Sequence, residues 1–207
     1  MTGFHLRKSG ICVFLMACAC AFYLLNAQVL LGHYDLGWHL AAGDLIRQQG
    51  KIPFHDPWSF TAGDRRWYNL SWLWDVLASV IFQYAHFSGL LLFVVVCGAA
   101  IVGCLTAICL NSGASAIPVC ISVLSACLLY PAFTAFPNIY LAAAPNVATT
   151  LFCVIFYGAC LKRTGRFFLL PAIMLVWANM HGGFLIGLLI IGVFWRHGVA
   201  QAGLGKL

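Results

Sequence analysis

Apolar runs long enough to cross a lipid bilayer recur along this chain, and they limit its fold more than any other feature. A membrane-spanning helix needs about 20 mostly apolar residues. The remaining polar residues are too few for a soluble surface, because charged residues make up 8% of the sequence, against about 25% in an ordinary soluble domain. We therefore predict an all-α fold, a polytopic bundle of transmembrane helices.

The runs divide the 207 residues into one transmembrane domain with a single sizeable polar loop. Residues 11–31 form the first span, which we interpret as an uncleaved anchor because no small-residue cleavage site follows it. Residues 32–72 form an outer loop that carries an amphipathic surface helix, and 72–195 contain five to six further membrane segments. These segments run over 72–87, 90–110, 116–133, 146–161, 167–180 and 184–195.

Basic residues predict the orientation of the segments. They lie beside apolar runs, at Arg7, Lys8, Lys162, Arg163, Arg166, Arg196 and Lys206. Such scattering is typical of a topology signal, since Lys and Arg favour cytoplasmic loops, and it forms no patch for a nucleic acid despite the formal charge of +6. We predict a multi-pass protein of the bacterial inner (cytoplasmic) membrane, with its N-terminus in the cytoplasm and residues 32–72 and 181–183 outside.

This topology contains one inconsistency. Residues 70 and 140 are both predicted to lie outside, so an even number of crossings must separate them, yet three apolar segments lie between. Either residues 72–87, the shortest of the three, only dip into the membrane, or the basic-residue rule fails once.

The acidic residues are confined to the outer loop and its border. All are aspartates, at Asp35, Asp44, Asp56, Asp64 and Asp75. Apolar residues of the loop follow the spacing of an amphipathic helix, at Trp38, Ala41, Ala42, Leu45 and Ile46. Gly50 is placed to end this helix, which we expect to lie along the membrane surface. Residues 51–70 predict an ordered loop whose aromatic rings suit the lipid–water interface.

Asp35, His39 and Arg47 fall on one face of the amphipathic helix, opposite its apolar stripe. An acid, an imidazole and a guanidinium at a membrane surface can activate a hydroxyl and hold a phosphate. Two plainer interpretations stay open, since Asp35 is also placed to cap the helix and Arg47 to bind lipid headgroups.

The sequence gives less support to a metal site or a nucleotide-binding site. His33, His39, His55 and Asp56 suggest a divalent metal, but no tight ligand motif such as His-x-x-x-His occurs, so we predict neither a metal nor another cofactor. The sequence also lacks a phosphate-binding P-loop, which argues against a nucleotide-driven pump.

A second polar segment, Trp-Ala-Asn-Met-His-Gly-Gly-Phe, occupies residues 177–184. Asn179 and His181 are costly in lipid, so they should face protein or water. The predicted topology places them on the same side as Asp35, where the two clusters can form one pocket. The alternative is a helix-packing turn with hydrogen bonds between helices.

Segments of both clusters resemble bacterial GT-C-type membrane glycosyltransferase-like proteins. The match is carried by Asp-Leu-Gly-Trp-His-Leu-Ala-Ala-Gly-Asp at 35–44, Gly-Lys-Ile-Pro at 50–53, Asp-Pro-Trp-Ser-Phe-Thr at 56–61, and then by Trp67, Trp72-Leu73 and 177–184. It spans about residues 30–195 and implies a multi-helix transferase that takes a sugar from a polyprenyl-phosphate donor and transfers it to an acceptor at the outer face of the membrane.

The resemblance also implies roles for single residues. Asp35 stands where such enzymes commonly have a general base, with His39 as its neighbour. Arg47, Asp56, Asn179 and His181 are the candidate substrate-binding residues, and Arg47 would neutralise the departing lipid phosphate. The expected partners are therefore membrane lipid and the polyprenyl-phosphate sugar donor.

Two departures from the family pattern leave other interpretations open. Similar proteins often have Arg-Pro where this chain reads Ala144-Pro145, which affects phosphate handling. They also usually continue with further helices, so we expect the chain to be incomplete at its C-terminus. A non-catalytic scaffold or accessory subunit bound to another membrane subunit, or an inactive fragment of a transferase, is the alternative. A transporter is disfavoured because the predicted spans carry almost no charged residues.

Overall fold

The computed structural model of the protein describes residues 2–26, 35–61, 65–133, 143–161 and 169–204. All the regular secondary structure in these ranges is helical, which confirms the predicted all-α class for the described part of the chain. The helices are α1 (Thr2–Leu25), α2 (Leu36–Gln49), α3 (Trp72–Asn111), α4 (Ala116–Phe133), α5 (Pro145–Leu161), α6 (Leu169–Met180) and α7 (Phe184–Leu204). His33 and Asp64 lie outside the described residues.

Within the described residues, two helices are long and apolar enough to cross a membrane. They are α1, over Lys8–Leu25 with a mean hydropathy of 1.9, and α3, with a mean hydropathy of 2.7. The apolar stretches described in the remaining helices are shorter, and they are Ala116–Ser125, Pro145–Leu161, Leu169–Met180 and Phe184–Arg196. Length and composition therefore indicate membrane association.

Helix α3 folds back on itself at His86, whose φ of 49° and ψ of −149° are not helical. The rings of Trp74 and Phe93 lie 5.8 Å apart between centroids, whereas a continuous helix would separate these two positions by about 28 Å. We call residues 72–85 the first arm of α3 and residues 87–111 the second arm. The break lies at the boundary that the sequence predicts between the segments 72–87 and 90–110.

The second arm of α3 packs against α1 in the opposite chain direction. A Cβ built at Gly98 would lie 2.1 Å from the Tyr23 ring, and one built at Gly103 would lie 2.7 Å from the sulfur of Met16. At the far end, Nζ of Lys8 donates to the carbonyl oxygen of Leu110 at 2.8 Å. This contact is lined mainly by apolar and small residues.

Helices α5, α6 and α7 complete the described bundle beside α3. Phe156, Cys160 and Leu170 form a second buried cluster between α5 and α6, and residues of α7 pack against it. Near the start of α5, Nε1 of Trp177 donates to Oγ1 of Thr149 at 2.9 Å. The start of α5 and the end of α6 therefore lie together.

The contacts between helices show which helix ends lie at the same end of the bundle. The start of α1 meets the end of α3, whose Ile108 also lies beside Gly158 near the end of α5. At the opposite end of the bundle, Trp72 at the start of α3 meets Asn179 near the end of α6. The two polar segments of the sequence thus meet at one end, which we call the site end.

Candidate functional site

Helix α2 follows Asp35 and ends at Gly50, whose φ of 63° is left-handed, as the sequence predicts. Its buried residues are Leu36, Ala42, Gly43 and Ile46. Two residues of the predicted apolar stripe, Ala42 and Ile46, belong to this buried face, whereas Trp38 is 45% exposed and Ala41 is also exposed. Helix α2 packs along the first arm of α3, which it meets through small and polar side chains.

Gly43 marks the closest approach between α2 and the first arm of α3. A Cβ built at this position would lie 1.9 Å from the carbonyl oxygen of Asp75 and 2.7 Å from the Cβ of Ser79. No side chain fits in that space, so glycine is required there. The close approach holds the α2 residues one turn before and one turn after Gly43 against α3.

One turn before Gly43, His39 meets a buried carboxylate. Nδ1 of His39 lies 2.6 Å from Oδ1 of Asp75, which is 1% exposed. Nδ2 of Asn69 donates to the second Asp75 oxygen at 2.6 Å. An ionised carboxylate only accepts hydrogen bonds, so His39 donates through Nδ1 and keeps Nε2 for other partners. In acid–base enzymes a carboxylate fixes the tautomer and orientation of a histidine in this way.

One turn after Gly43, Arg47 is engaged in the contact between the two helices. Its Nη1 donates to Oγ of Ser79 at 2.9 Å, and its Nη2 donates to Oε1 of Gln83. Asp44 lies 3.8 Å away on the exposed side. The predicted phosphate ligand is therefore placed between α2 and α3, two helical turns from His39.

Residues 39, 43 and 47 of α2 thus face residues 75, 79 and 83 of α3, with the same spacing of four on both helices. We call this the polar contact. The matched spacing means that the two helices run side by side in the same direction. The polar contact explains why the predicted polar face of α2 points towards protein.

Asp35 lies one turn before His39, at the N-cap position of α2. Its side chain makes no capping hydrogen bond to the helix, so capping does not account for this aspartate. Its carbonyl oxygen accepts a hydrogen bond from the backbone N–H of His39 at 3.0 Å. Both predicted catalytic residues therefore lie at the same end of α2.

Asp56 is used within the loop that follows α2. The backbone N–H groups of Trp58 and Ser59 donate to its Oδ1 at 2.9 and 3.1 Å, and the Ser59 hydroxyl donates to Oδ2. These bonds, that of the Ser59 side chain foremost, lower the pKa of Asp56. The carboxylate thus orders a turn, and none of the contacts described here joins it to Asp35 or His39.

Three tryptophans form a cluster of tilted and edge-to-face rings on the exposed side of α2. The Trp58 ring lies 4.6 Å from Trp38 and 5.3 Å from Trp67. Backbone hydrogen bonds between residues 54–56 and 65–67 hold the loop in place. Further along the loop, Phe54, His55, Arg66 and Tyr68 line an open cavity of about 400 Å³. Of the candidate site residues, none lines this cavity.

The second polar segment is built around His181, in the turn between α6 and α7. Nδ1 of His181 accepts the backbone N–H of Gly183 at 3.2 Å and lies 2.8 Å from Oγ1 of Thr149. Because Nδ1 accepts from Gly183 it carries no proton, so the Thr149 hydroxyl donates to it, while the Thr149 oxygen accepts Nε1–H of Trp177. His181 is therefore the tautomer that carries its proton on Nε2.

The two polar segments are joined directly. Nε1 of Trp72 donates to Oδ1 of Asn179 at 2.7 Å, and Trp72 lies one turn before Asp75 on the first arm. Burial lowers the pKa of His181, and the electrostatic influence of His39 lowers it further. The two imidazoles are thus near enough to interact electrostatically.

The structure brings together Asp35, His39, Asn179 and His181 at the site end, and places Arg47 and Asp56 elsewhere. Asp75 and Thr149 were missed as site residues. A signal for Asp75 exists, since Asp75, Ser79 and Gln83 repeat every four residues, as His39, Gly43 and Arg47 do. Thr149 carries no such signal in its apolar surroundings.

Among the described residues, no group of three or more His, Cys, Asp or Glu side chains could hold a metal ion. Comparison of the chain with family models, curated proteins and solved structures finds no match.

Proposed function

We propose that this chain is a membrane glycosyltransferase-like protein that moves a sugar from a polyprenyl-phosphate carrier to an acceptor at the outer face of the bacterial inner membrane. The observation that carries the proposal is the meeting of the two polar segments at the site end. Trp72 bonds to Asn179, and one turn further along α3 Asp75 bonds to His39.

The fold-back of α3 supports the multi-pass topology. If the first arm remains on the outer side, only the second arm and α4 cross between residues 70 and 140, which gives the even number that the basic residues require. The second arm is about 37 Å long at 1.5 Å per residue, enough to cross about 30 Å of hydrocarbon. The first arm, at about 20 Å, is too short for that.

In the proposed reaction, Asp35 accepts the proton of the acceptor hydroxyl. The hydroxyl oxygen forms a bond to the anomeric carbon of the sugar while the bond from that carbon to the phosphate oxygen breaks. The electron pair of the broken bond leaves with the lipid phosphate. His39 lies one turn from Asp35, with its imidazole oriented by Asp75.

Asp35→Asn tests this role, with Asp44→Asn as its matched control because both aspartates belong to the same short segment. Membranes containing each variant are supplied with radiolabelled polyprenyl-phosphate sugars, and the labelled glycan is counted. We expect at least about a hundredfold loss for Asp35→Asn, since general-base catalysis contributes about 10²–10⁴-fold, and near-normal transfer for Asp44→Asn. Normal transfer by Asp35→Asn at equal protein level would refute the assignment.

A non-catalytic scaffold or accessory subunit is the second candidate. The observation that favours it is the polar contact, in which Arg47 is committed to Ser79 and Gln83. Co-purification from membranes discriminates the two, because a scaffold is recovered with a partner subunit and is inactive without it, whereas a transferase is active alone.

A further inference from the structure

We propose that His39 and His181 together form a two-imidazole site that binds the phosphate group of a lipid phosphate through their Nε2 atoms. This inference rests on the proposed function and deepens it, because it names the residues that receive the phosphate of the donor and of the lipid product.

The first argument is that each imidazole uses Nδ1 for hydrogen bonds within the protein, which leaves Nε2 for a ligand. Nδ1 of His39 is bonded to Asp75, and Nδ1 of His181 is bonded to Gly183 and Thr149. No hydrogen bond between described residues engages either Nε2 atom. His181 carries a proton on Nε2, and His39 does so when it is protonated beside Asp75, so both can donate to a phosphate oxygen.

The second argument is that Arg47, the predicted phosphate ligand, is already engaged in contacts within the protein. Arg47 donates to Ser79 and Gln83 within the polar contact. The two histidines at the site end each keep an Nε2 atom that no hydrogen bond between described residues engages.

The third argument concerns the surrounding charge. On the α2 and α3 side the site contains Asp35, His39 and Asp75, with Arg47 two turns further along α2. Helices α5, α6 and α7 contribute no carboxylate side chain, because the acidic residues of the sequence all fall between residues 35 and 75. An anion would therefore approach from the His181 side and complete its contacts on His39.

The chemistry gives this site a purpose in the proposed transfer. A sugar linked to a polyprenyl phosphate is a diester with one negative charge. The released lipid phosphate is a monoester with a further charge. Imidazole donors that meet the phosphate stabilise this added charge as the bond to the sugar breaks.

The test is equilibrium binding of radiolabelled polyprenyl monophosphate to the full chain in phosphatidylcholine nanodiscs. We expect His39→Gln and His181→Gln each to weaken binding by about tenfold, the value of one charge-assisted hydrogen bond. His55→Gln, at an exposed loop histidine, should bind as the wild type does. Unchanged affinity in the double variant, or equal binding of the unphosphorylated polyprenol, would overturn the proposal.

A second measurement needs no substitution and so survives a variant that fails to fold. The Nε2 resonances of His39 and His181 in ¹⁵N-histidine-labelled protein should shift when polyprenyl monophosphate is added, and that of His55 should not. Absence of a shift at both site histidines would contradict the proposal. Competition by inorganic phosphate would show recognition of the phosphate alone, whereas competition by lipid phosphates only would show that the chain of the lipid contributes.

The outcomes separate this inference from the proposed function. The wild-type protein could bind polyprenyl monophosphate through the two histidines but transfer no sugar from any donor. That result would support the phosphate site and refute the transferase activity. The double histidine variant could instead transfer sugar and bind polyprenyl monophosphate with wild-type affinity. That result would refute only the phosphate site.

Discussion

The two arms of α3 use different chemistry to bind their neighbours. The first arm meets α2 through the polar contact, in which an imidazole, a glycine and a guanidinium face a carboxylate, a hydroxyl and an amide. The second arm meets α1 through apolar and small side chains. Within one helix, the polar interface lies at the candidate site and the apolar interface lies away from it. The polar residues of the first arm therefore both join two helices and orient the side chains of the site.

The sharpest way to break the polar contact is Gly43→Ala. The added Cβ would collide with the backbone of Asp75, which cannot rotate away, so we expect a loss of about 3 kcal/mol or more, at or above the usual range for overpacking. Gly37→Ala is the matched control, because a Cβ there meets nothing within 4 Å and alanine favours helix by up to about 1 kcal/mol. Urea unfolding in detergent micelles measures both, and equal stability of the two variants would show that the helices do not approach as described.

Asp75→Asn tests the charged part of the polar contact. The amide keeps the shape of the side chain but loses the charge-assisted hydrogen bond with His39, worth about 1.5–3 kcal/mol. We expect that loss of unfolding free energy in the same assay, with no comparable change in Asp44→Asn, whose carboxylate is exposed. A variant as stable as the wild type would mean that the buried carboxylate does not hold His39.

Gly98→Ala tests the apolar contact in the same manner as Gly43→Ala tests the polar one. The new Cβ would meet the ring of Tyr23, and a side chain can shift where a backbone cannot. We therefore expect a smaller loss, about 1–2 kcal/mol, measured by urea unfolding. A loss larger than that of Gly43→Ala would reverse the comparison between the two arms.

The smallest effect is expected from the protonation of His181. Its pKa is lowered in the folded protein, so the unfolded chain takes up a proton first as the pH falls. This contribution to stability is present above about pH 6.5, the usual pKa of histidine, and is lost as the pH drops from there through the lower pKa of the folded state. Thermal unfolding of the wild type should fall by a few degrees more than that of His181→Gln between pH 7.5 and 5.5, and parallel curves would contradict the prediction.

Much of the helical fold is readable from the sequence, because apolar runs, the glycine after α2 and the border near His86 are local signals. The buried face of α2 was readable only in part, since Ala42 and Ile46 of the apolar stripe are buried but Gly43 lies outside that stripe. The polar partners on the first arm could not be predicted, because a single helix carries no information about its neighbour. A comparison of spacings between α2 and the first arm would have found the match.

The site shows the same division between local and long-range information. Asp35, His39, Asn179 and His181 could be selected because polar residues are rare in such a chain. The partners that orient them, Asp75 and Thr149, depend on contacts between residues far apart in sequence. The sequence predicted the correct helix face for Arg47. It could not predict that Arg47 binds Ser79 and Gln83, because only the tertiary structure brings these residues together.

The order of the helices along the chain has a consequence for how the protein is made. The first arm of α3 carries Asp75, Ser79 and Gln83, which are unfavourable in lipid without partners. Helix α2 supplies those partners and is synthesised before the first arm. Each polar group of the first arm can therefore be matched as soon as that arm leaves the ribosome. The long apolar second arm emerges directly afterwards, when the polar side of the first arm is already covered by α2.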